Sequence, residues 1–185
     1  MPLLTRKRLI LLETEGTYGT DPTPDGADAI LVRDLNITPL QSDVVSRQLV
    51  RPYLGASEQL LANTRVECTF SVELAGSGTA GTAPRYGKAL LACGMSETVA
   101  AGTSVTYAPV SASFSSCTIY YNIDGLLHKV TGARGTFTLN MAVGDIPTID
   151  FTFTGVYNAP TDTSAPSVTY ANQATPVIAK AGNTT

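Results

Sequence analysis

Tryptophan is absent from this sequence, and histidine occurs once, as His128. One imidazole leaves few ways to build an acid–base or nucleophilic site. No G-x-S-x-G turn is present to expose a serine nucleophile. His128 falls in a strand-like segment just after a turn, which suits a structural or surface position. Cysteine is scarce: Cys68, Cys93 and Cys117 are an odd number at wide spacing. That is neither a disulfide framework nor a zinc motif. Cys68 and Cys117 lie in alternating apolar patterns, as expected of small buried hydrophobes in a reducing compartment. Charge is also low, at 15% of residues against about 25% in ordinary globular chains. The net charge of −3 argues against a large basic nucleic-acid surface.

Long apolar runs are missing too. None approaches the roughly 18 to 20 residues of a membrane helix. The opening MPLLTRKRLILL has only a short apolar stretch, and Glu13 and Glu15 follow at once. This predicts a cytosolic start with an ordered or docking arm rather than a secretory leader. The Gly-rich AGSGTAG beginning at Ala75 lacks the Lys-Ser/Thr ending of a phosphate loop. Glu13, Glu15, Asp21, Asp25, Asp28 and Asp162 sit in loop-like sequence, where turn and cap duty is expected. No catalytic residue, metal set or cofactor is expected, and the chain is not read as an enzyme.

What is abundant is turn chemistry, with 16 Gly and 11 Pro in 185 residues. The length suits one domain with arms, large enough to fold without a disulfide or metal. We expect an N-terminal arm and loop over 1–28, a β domain over 29–157 and a C-terminal arm over 158–185. Strands are expected at 29–37, 63–75, 105–110, 114–124, 126–132, 135–143 and 147–157. Asp124-Gly125 is a strong hairpin signal, and turns are also expected at 133–135 and 144–145. PRYGKALLAC, residues 84–93, is the one helix candidate, with Pro at its start and Gly94 after its end. Residues 38–62 alternate weakly and read as a long excursion or hairpin leaving the body. The fold class is mainly β: two packed antiparallel sheets, as a sandwich or barrel, with one flanking helix, a long extended loop and two arms.

The second face of the strands is the informative one. In 63–75, Val66, Cys68, Phe70, Val72 and Leu74 point one way, and Arg65, Glu67, Thr69, Ser71 and Glu73 the other. In 135–143, Phe137, Leu139, Met141 and Val143 oppose Thr136, Thr138, Asn140 and Ala142. In 147–157, Ile149, Phe151 and Phe153 oppose Thr148, Asp150, Thr152 and Thr154. Ordinary solvent faces carry more Lys and Glu. A smooth hydroxyl face suits the wall of a water-filled channel. A solvent face rich in Thr because Thr favours strands is the alternative.

The stretch HKVTGARGTFTLNMAVGDIPTIDFTFTGVY, residues 128–157, with LVRDLNITP and the excursion after it, resembles the major tail tube proteins of long-tailed, non-contractile bacteriophages. The Gly135-led strand, the Gly144 turn and the aromatic strand ending FTFTG carry the resemblance, over about residues 10–160. The resemblance implies six subunits in a ring, with one sheet from each joining a continuous barrel around a lumen that passes DNA. Rings stack through an extended loop and terminal arms. The same fold serves contractile-tail and type VI secretion tubes.

On this reading Arg65, Glu67, Thr69, Ser71, Glu73, Thr136, Thr138, Asn140, Thr148, Asp150, Thr152 and Thr154 are expected to line the lumen. Glu67, Glu73 and Asp150 would keep it acidic or neutral, with Arg65 partly offsetting them. That avoids the phosphate binding that would hold DNA in place. Ser46, Arg47, Leu49, Val50, Arg51, Tyr53 and Leu54 are expected in the inter-ring loop, with acidic partners in the 13–28 segment of a neighbouring ring. In the C-terminal arm, Val168, Tyr170, Val177 and Ile178 are the apolar contacts of an arm that is either disordered or added to another subunit.

The implied partners are further copies of the chain, a tape measure protein in the lumen during assembly, tail tip or initiator proteins and a tail terminator. DNA passes transiently, no membrane insertion is expected, and the site of action is the virion tail after assembly in the host cytoplasm. The alternatives are a tube of a contractile tail or type VI secretion system, or a monomeric β-sandwich binding or capsid decoration module.

Overall fold

Leu9 to Leu12 are apolar on both sides of a strand, and the fold covers both. The computed structural model describes Leu4 and residues 6 to 180. In it β1 (Arg8–Thr14) pairs antiparallel with β2 (Ala29–Ile30) on one side and β7 (Cys117–Ile123) on the other. Ile10 and Leu12 enter the core beside Tyr121 and Ile119, while Leu11 is buried on the reverse face. A strand covered on both faces does not alternate in sequence. That is why β1 read as part of an arm.

The remaining elements are β3 (Arg33–Ser46), β4 (Gln59–Glu73), α1 (Gly87–Ala92), β5 (Met95–Ala100), β6 (Ser104–Pro109), β8 (Leu126–Asn140), β9 (Thr148–Tyr157) and β10 (Thr161–Asp162). The fold is mainly β, with two antiparallel sheets and one helix. The large sheet has eight strands in the order β2-β1-β7-β8-β9-β4-β3, with β10 beside the start of β8. It does not close into a barrel within the chain. The small sheet is the β5–β6 hairpin.

β8 joins the two layers. Its first half pairs with β7 and its second half with β9. The register shifts between Thr131 and Arg134, around Gly132 at φ +59°, a left-handed conformation that glycine adopts without a Cβ clash. The turn expected at 133–135 is therefore a bulge inside one continuous strand. The bulge re-aims β8, so that β1, β7 and early β8 face β9 and β4 across the core. Ile119, Val130, Cys68, Phe70, Phe151 and Phe153 belong to one buried cluster. Phe70, Phe151 and Phe153 form a triangle with centroids 5.4 to 5.8 Å apart. α1 adds Ala89, Leu90 and Ala92, and Tyr86 before it, to the same cluster. Gly87 leaves room here: a Cβ would lie 2.2 Å from the Tyr107 hydroxyl and displace it, and that hydroxyl donates to Glu97 at 2.5 Å and ties β6 to β5.

Of the two forms expected for 38–62, the fold shows the hairpin, built of β3 and β4, with more strand than the weak alternation indicated. Its pairing is interrupted by register shifts, with Asp34 and Asn63 at φ 51°. Such bulges weaken alternation, and so the strand signal. The strand expected over 135–143 stops at Asn140. β5 was not anticipated, because its outer residues are exposed and no apolar face marks it.

The C-terminal arm is neither free nor extended away. Asn158 to Lys180 lie back along their own subunit, and 181–185 fall outside the described residues. Thr163 N–H donates to Gly125 C=O, Thr169 to Gly26, and Ala174 to Gly76. Gln173 holds Leu31 N–H at 2.7 Å, and Ala179 bonds across the Gly144–Asp145 turn. At Gly26 a Cβ would stand 1.8 Å from the Ser167 carbonyl oxygen, so only glycine lets the arm pass.

Candidate functional site

Cross-strand register decides which side chains share a face, because directly opposed residues point the same way. Across β8, β9, β4 and β3 the rows are Arg134–Thr154–Glu67–Thr38, Thr136–Thr152–Thr69–Asn36, Thr138–Asp150–Ser71–Arg33 and Asn140–Thr148–Glu73. Arg65 continues the face beside Gln41 and Val156. Every residue expected on the hydroxyl wall thus lies on one face of one four-stranded sheet. The reverse face has the rows Gly135–Phe153–Cys68–Ile37, Phe137–Phe151–Phe70 and Leu139–Ile149–Val72. None of the polar set is buried; the β8 members, Thr152 and Thr154 are exposed and the rest half-buried.

The charges on this face are mutually offset. Arg33 lies 3.8 Å from Glu73 and Arg65 3.5 Å from Asp43. Gln41 donates to Glu67 at 3.0 Å, and Asn140 donates to Asp150. Arg33, Asn36, Thr38 and Gln41 belong to the wall as well. Their alternation with Leu35 and Ile37 was in the sequence, but the bulge at Asp34 broke the pattern. With Arg33 added, the face is closer to neutral than the β4, β8 and β9 residues alone suggested.

Two edges of this sheet carry no partner strand among the described residues: the outer side of β3 and the side of β8 after Ala133. The β3–β4 hairpin runs on past β9, whose pairing with β4 ends at Arg65–Val156. Val44 opposes Leu61 and Val45 opposes Leu60, so both faces of this ribbon are apolar, and all four residues are exposed. Beyond Ser46 lie Leu49, Val50, Tyr53 and Leu54, also exposed. Arg47 pairs with Glu58 at 2.7 Å, while Arg51 reaches the Tyr53 ring and hydroxyl.

The acids of 13–28 were expected to receive a neighbour's basic loop. Most are engaged within the chain. Glu15 accepts four hydrogen bonds at 2.7 Å, from Ser116, Thr118, Gly132 N–H and Gly19 N–H. Burial pushes its carboxyl up, but the four donors outweigh it and hold it below the usual carboxylate range. Asp21 accepts from Lys129 and from Tyr120, and is likewise lowered against the opposing effect of burial. Lys88 of α1 contacts both Glu13 and Asp28, and Arg85 reaches Asp28 at 3.1 Å. Burial opposes ionisation of Asp28, yet the Asp25 N–H, Lys88 and Arg85 bring it down to about 2. Asp25 caps the one-turn helix Gly26–Asp28, as turn chemistry predicted. Glu15 and Asp21 thus tie the loop to β7 and β8, and Asp28 ties it to α1 and the residues before it.

Catalytic geometry is not assembled around His128, which lies half-buried with its ring 5.9 Å from Tyr121. Burial lowers its pKa. Cys68 and Cys93 are pushed up to about 12 by burial, and Cys117 is raised as well, which disfavours the thiolate at all three. In the arm, Val177 and Ile178 are exposed, as is Tyr170, while Val168 is half-buried.

Comparison with known proteins adds three findings. A family model described as phage tail tube protein matches residues 5–185. No curated protein matches. Among solved structures, the chain is similar to one in the sheath–tube complex of the extracellular contractile injection system PVC, in its extended state. The TM-score is 0.53 at 9% identity, covering 88% of this chain and 93% of that one. It is also similar to a chain in the tube terminating cap of the anti-feeding prophage, with TM-score 0.52 at 11% identity, covering 89% and 93%. At these identities the likeness concerns the fold.

Proposed function

Because this chain belongs to the phage tail tube protein family, we propose that it is the repeating subunit of a non-contractile tail tube, set six to a ring around a lumen that passes DNA. The single observation that supports this reading is the four-stranded sheet β8-β9-β4-β3. One of its faces is a hydroxyl wall, the other a core, and both its edges are open. Open edges are a hazard in a monomer. Copies placed edge to edge, β3 against the end of β8, would remove them and close a barrel with the hydroxyl face inward. Arg33 and Arg65 of that face are paired with carboxylates, while Arg134 lies over the Tyr18 ring and donates to Phe114 C=O. DNA phosphates would find few free cations there, so they would slide rather than bind.

The chain supplies geometry rather than chemistry. The hairpin would meet the next ring. A tape measure protein would occupy the lumen during assembly, with tip and terminator proteins at the two ends. The non-contractile assignment rests on the resemblance of residues 128–157 to tubes of that class.

Electron microscopy of the concentrated protein, with and without tail-tip proteins, tests the proposal. Hollow six-fold rings or bare tubes are expected. Dispersed particles under both conditions would sink it, and a co-purifying sheath would reassign the tube to a contractile tail.

A further inference from the structure

The core face of β8 and β9 is longer than the layer that covers it. Phe137 and Leu139 share the face of Phe151 and Ile149, yet both are exposed. Met141 and Val143 extend the strip past the end of β8, and Val143 is 91% exposed. The strip is thus only partly covered within the described residues: Phe137 is 37% and Leu139 49% exposed, and the arm reaches only the turn beyond it, through Ala179.

The hairpin is the other uncovered apolar element, and it lies at the opposite end of the same sheet. β4 runs from the hairpin at Gln59 to Glu73, which stands beside Thr148 and so beside Asn140 in register. The stretch of β4 beyond β9, residues 59–64, projects on the order of 20 Å at the usual rise per residue, and the tip extends further. A hairpin at one end and an apolar strip at the other cannot meet in one chain. They can meet between two copies displaced along the strand direction.

Charge supports the same match. Arg51 at the tip contacts Tyr53 rather than a carboxylate. Asp145, in the turn just after the strip, bonds only backbone N–H of Ile146 with its side chain and has no cation among the described ion pairs.

We propose that the strip formed by Phe137, Leu139, Met141 and Val143 is the seat for the β3–β4 hairpin tip of a second copy, with Arg51 of that copy facing Asp145. The contact is heterologous and does not close, so repetition gives a filament. This rests on the tube reading and names the surface that receives the docking loop.

Mixing two variants that each add one surface cysteine tests it. Val50→Cys and Val143→Cys both replace exposed residues; the native Cys68 and Cys117 are buried, and the half-buried Cys93 is changed to Ser in both variants. Tubes grown from the mixture and oxidised should yield a mixed disulfide dimer that neither variant yields alone. Tubes without the mixed product, or a dimer of Val143→Cys with itself, would overturn the proposal. In a second variant, Met141→Asp with Val143→Asp, the melting temperature should be unchanged and tube growth lost. Tubes of normal length from that variant would also overturn it. If the unmodified protein makes neither rings nor tubes even with tail-tip proteins, the tube reading itself falls, and this inference with it.

Discussion

The two halves of β8 are parts of one strand with opposite surroundings. Before the Gly132 bulge, Val130 is buried on the core side and Thr131 is buried as well. The 15–20 loop reaches this half through Glu15, which bonds Gly132, and Tyr18, which lies against it. After the bulge, Thr136 to Asn140 are exposed, although the sequence alternates just as well there. The first half is finished by its own chain. The second has a core-like face and a free edge that the chain leaves open. Alternation therefore reports where a strand has two chemically distinct faces; it does not report what covers them.

Paired substitutions can break this contrast. The largest effect is expected at the core. Phe153→Ala should cost about 3–5 kcal/mol in denaturant unfolding. Phe137→Ala, on the same sheet face, should cost about 1 kcal/mol or less while reducing assembly. Equal losses of stability would show that the second half is as finished as the first.

The next effect sharpens the finished half. Glu15→Ala would strand the Ser116 and Thr118 hydroxyls and the Gly132 N–H, at about 1–3 kcal/mol. The folded-state pKa values of Glu15, Asp21 and Asp28 are depressed. Their stabilisation is thus complete above the ordinary values of 4.5 and 3.8, and is lost as pH falls toward about 2. Thermal melts between pH 6 and roughly 2 should show a steep acid limb, shallower in Glu15→Gln. An unchanged limb would remove Glu15 from the account.

The smallest effect is expected on the wall. Glu67→Gln should shift stability by no more than about 0.5 kcal/mol, and tubes should form normally. A large loss of stability would mean that the wall is part of the folding core.

Much of this was legible. β4, β9 and the Asp124-Gly125 hairpin show clean alternation or turn chemistry, and Pro84 and Gly94 bracket the helix. Each wall strand showed its hydroxyl face in sequence, but which strands pair and in what register comes only from the fold. What was not legible depends on partners distant in the chain. Leu9–Leu12 hid a strand buried on both faces. Ala133–Gly135 has turn residues but sits in a bulge, and only pairing with β9 distinguishes the two. The carboxylates of 13–28 look like solvated loop residues until Lys88, Lys129 and the β7 hydroxyls arrive beside them. The course of the arm depends on backbone hydrogen bonds and on the missing Cβ of Gly26, which no periodicity reports.

The pairing of β1 with β7 sets a timetable for folding. β1 is made early, but its main partner strand lies about a hundred residues further on, and Glu15 waits for Gly132, 117 residues away. Closing so long a loop is slow, and it follows rather than precedes the local hairpins. On the ribosome, the β3–β4 hairpin with its sticky tip can form while the first layer is still incomplete. A nascent chain thus presents an exposed apolar hairpin before its core is sealed, which makes the interval between those two events its most aggregation-exposed period.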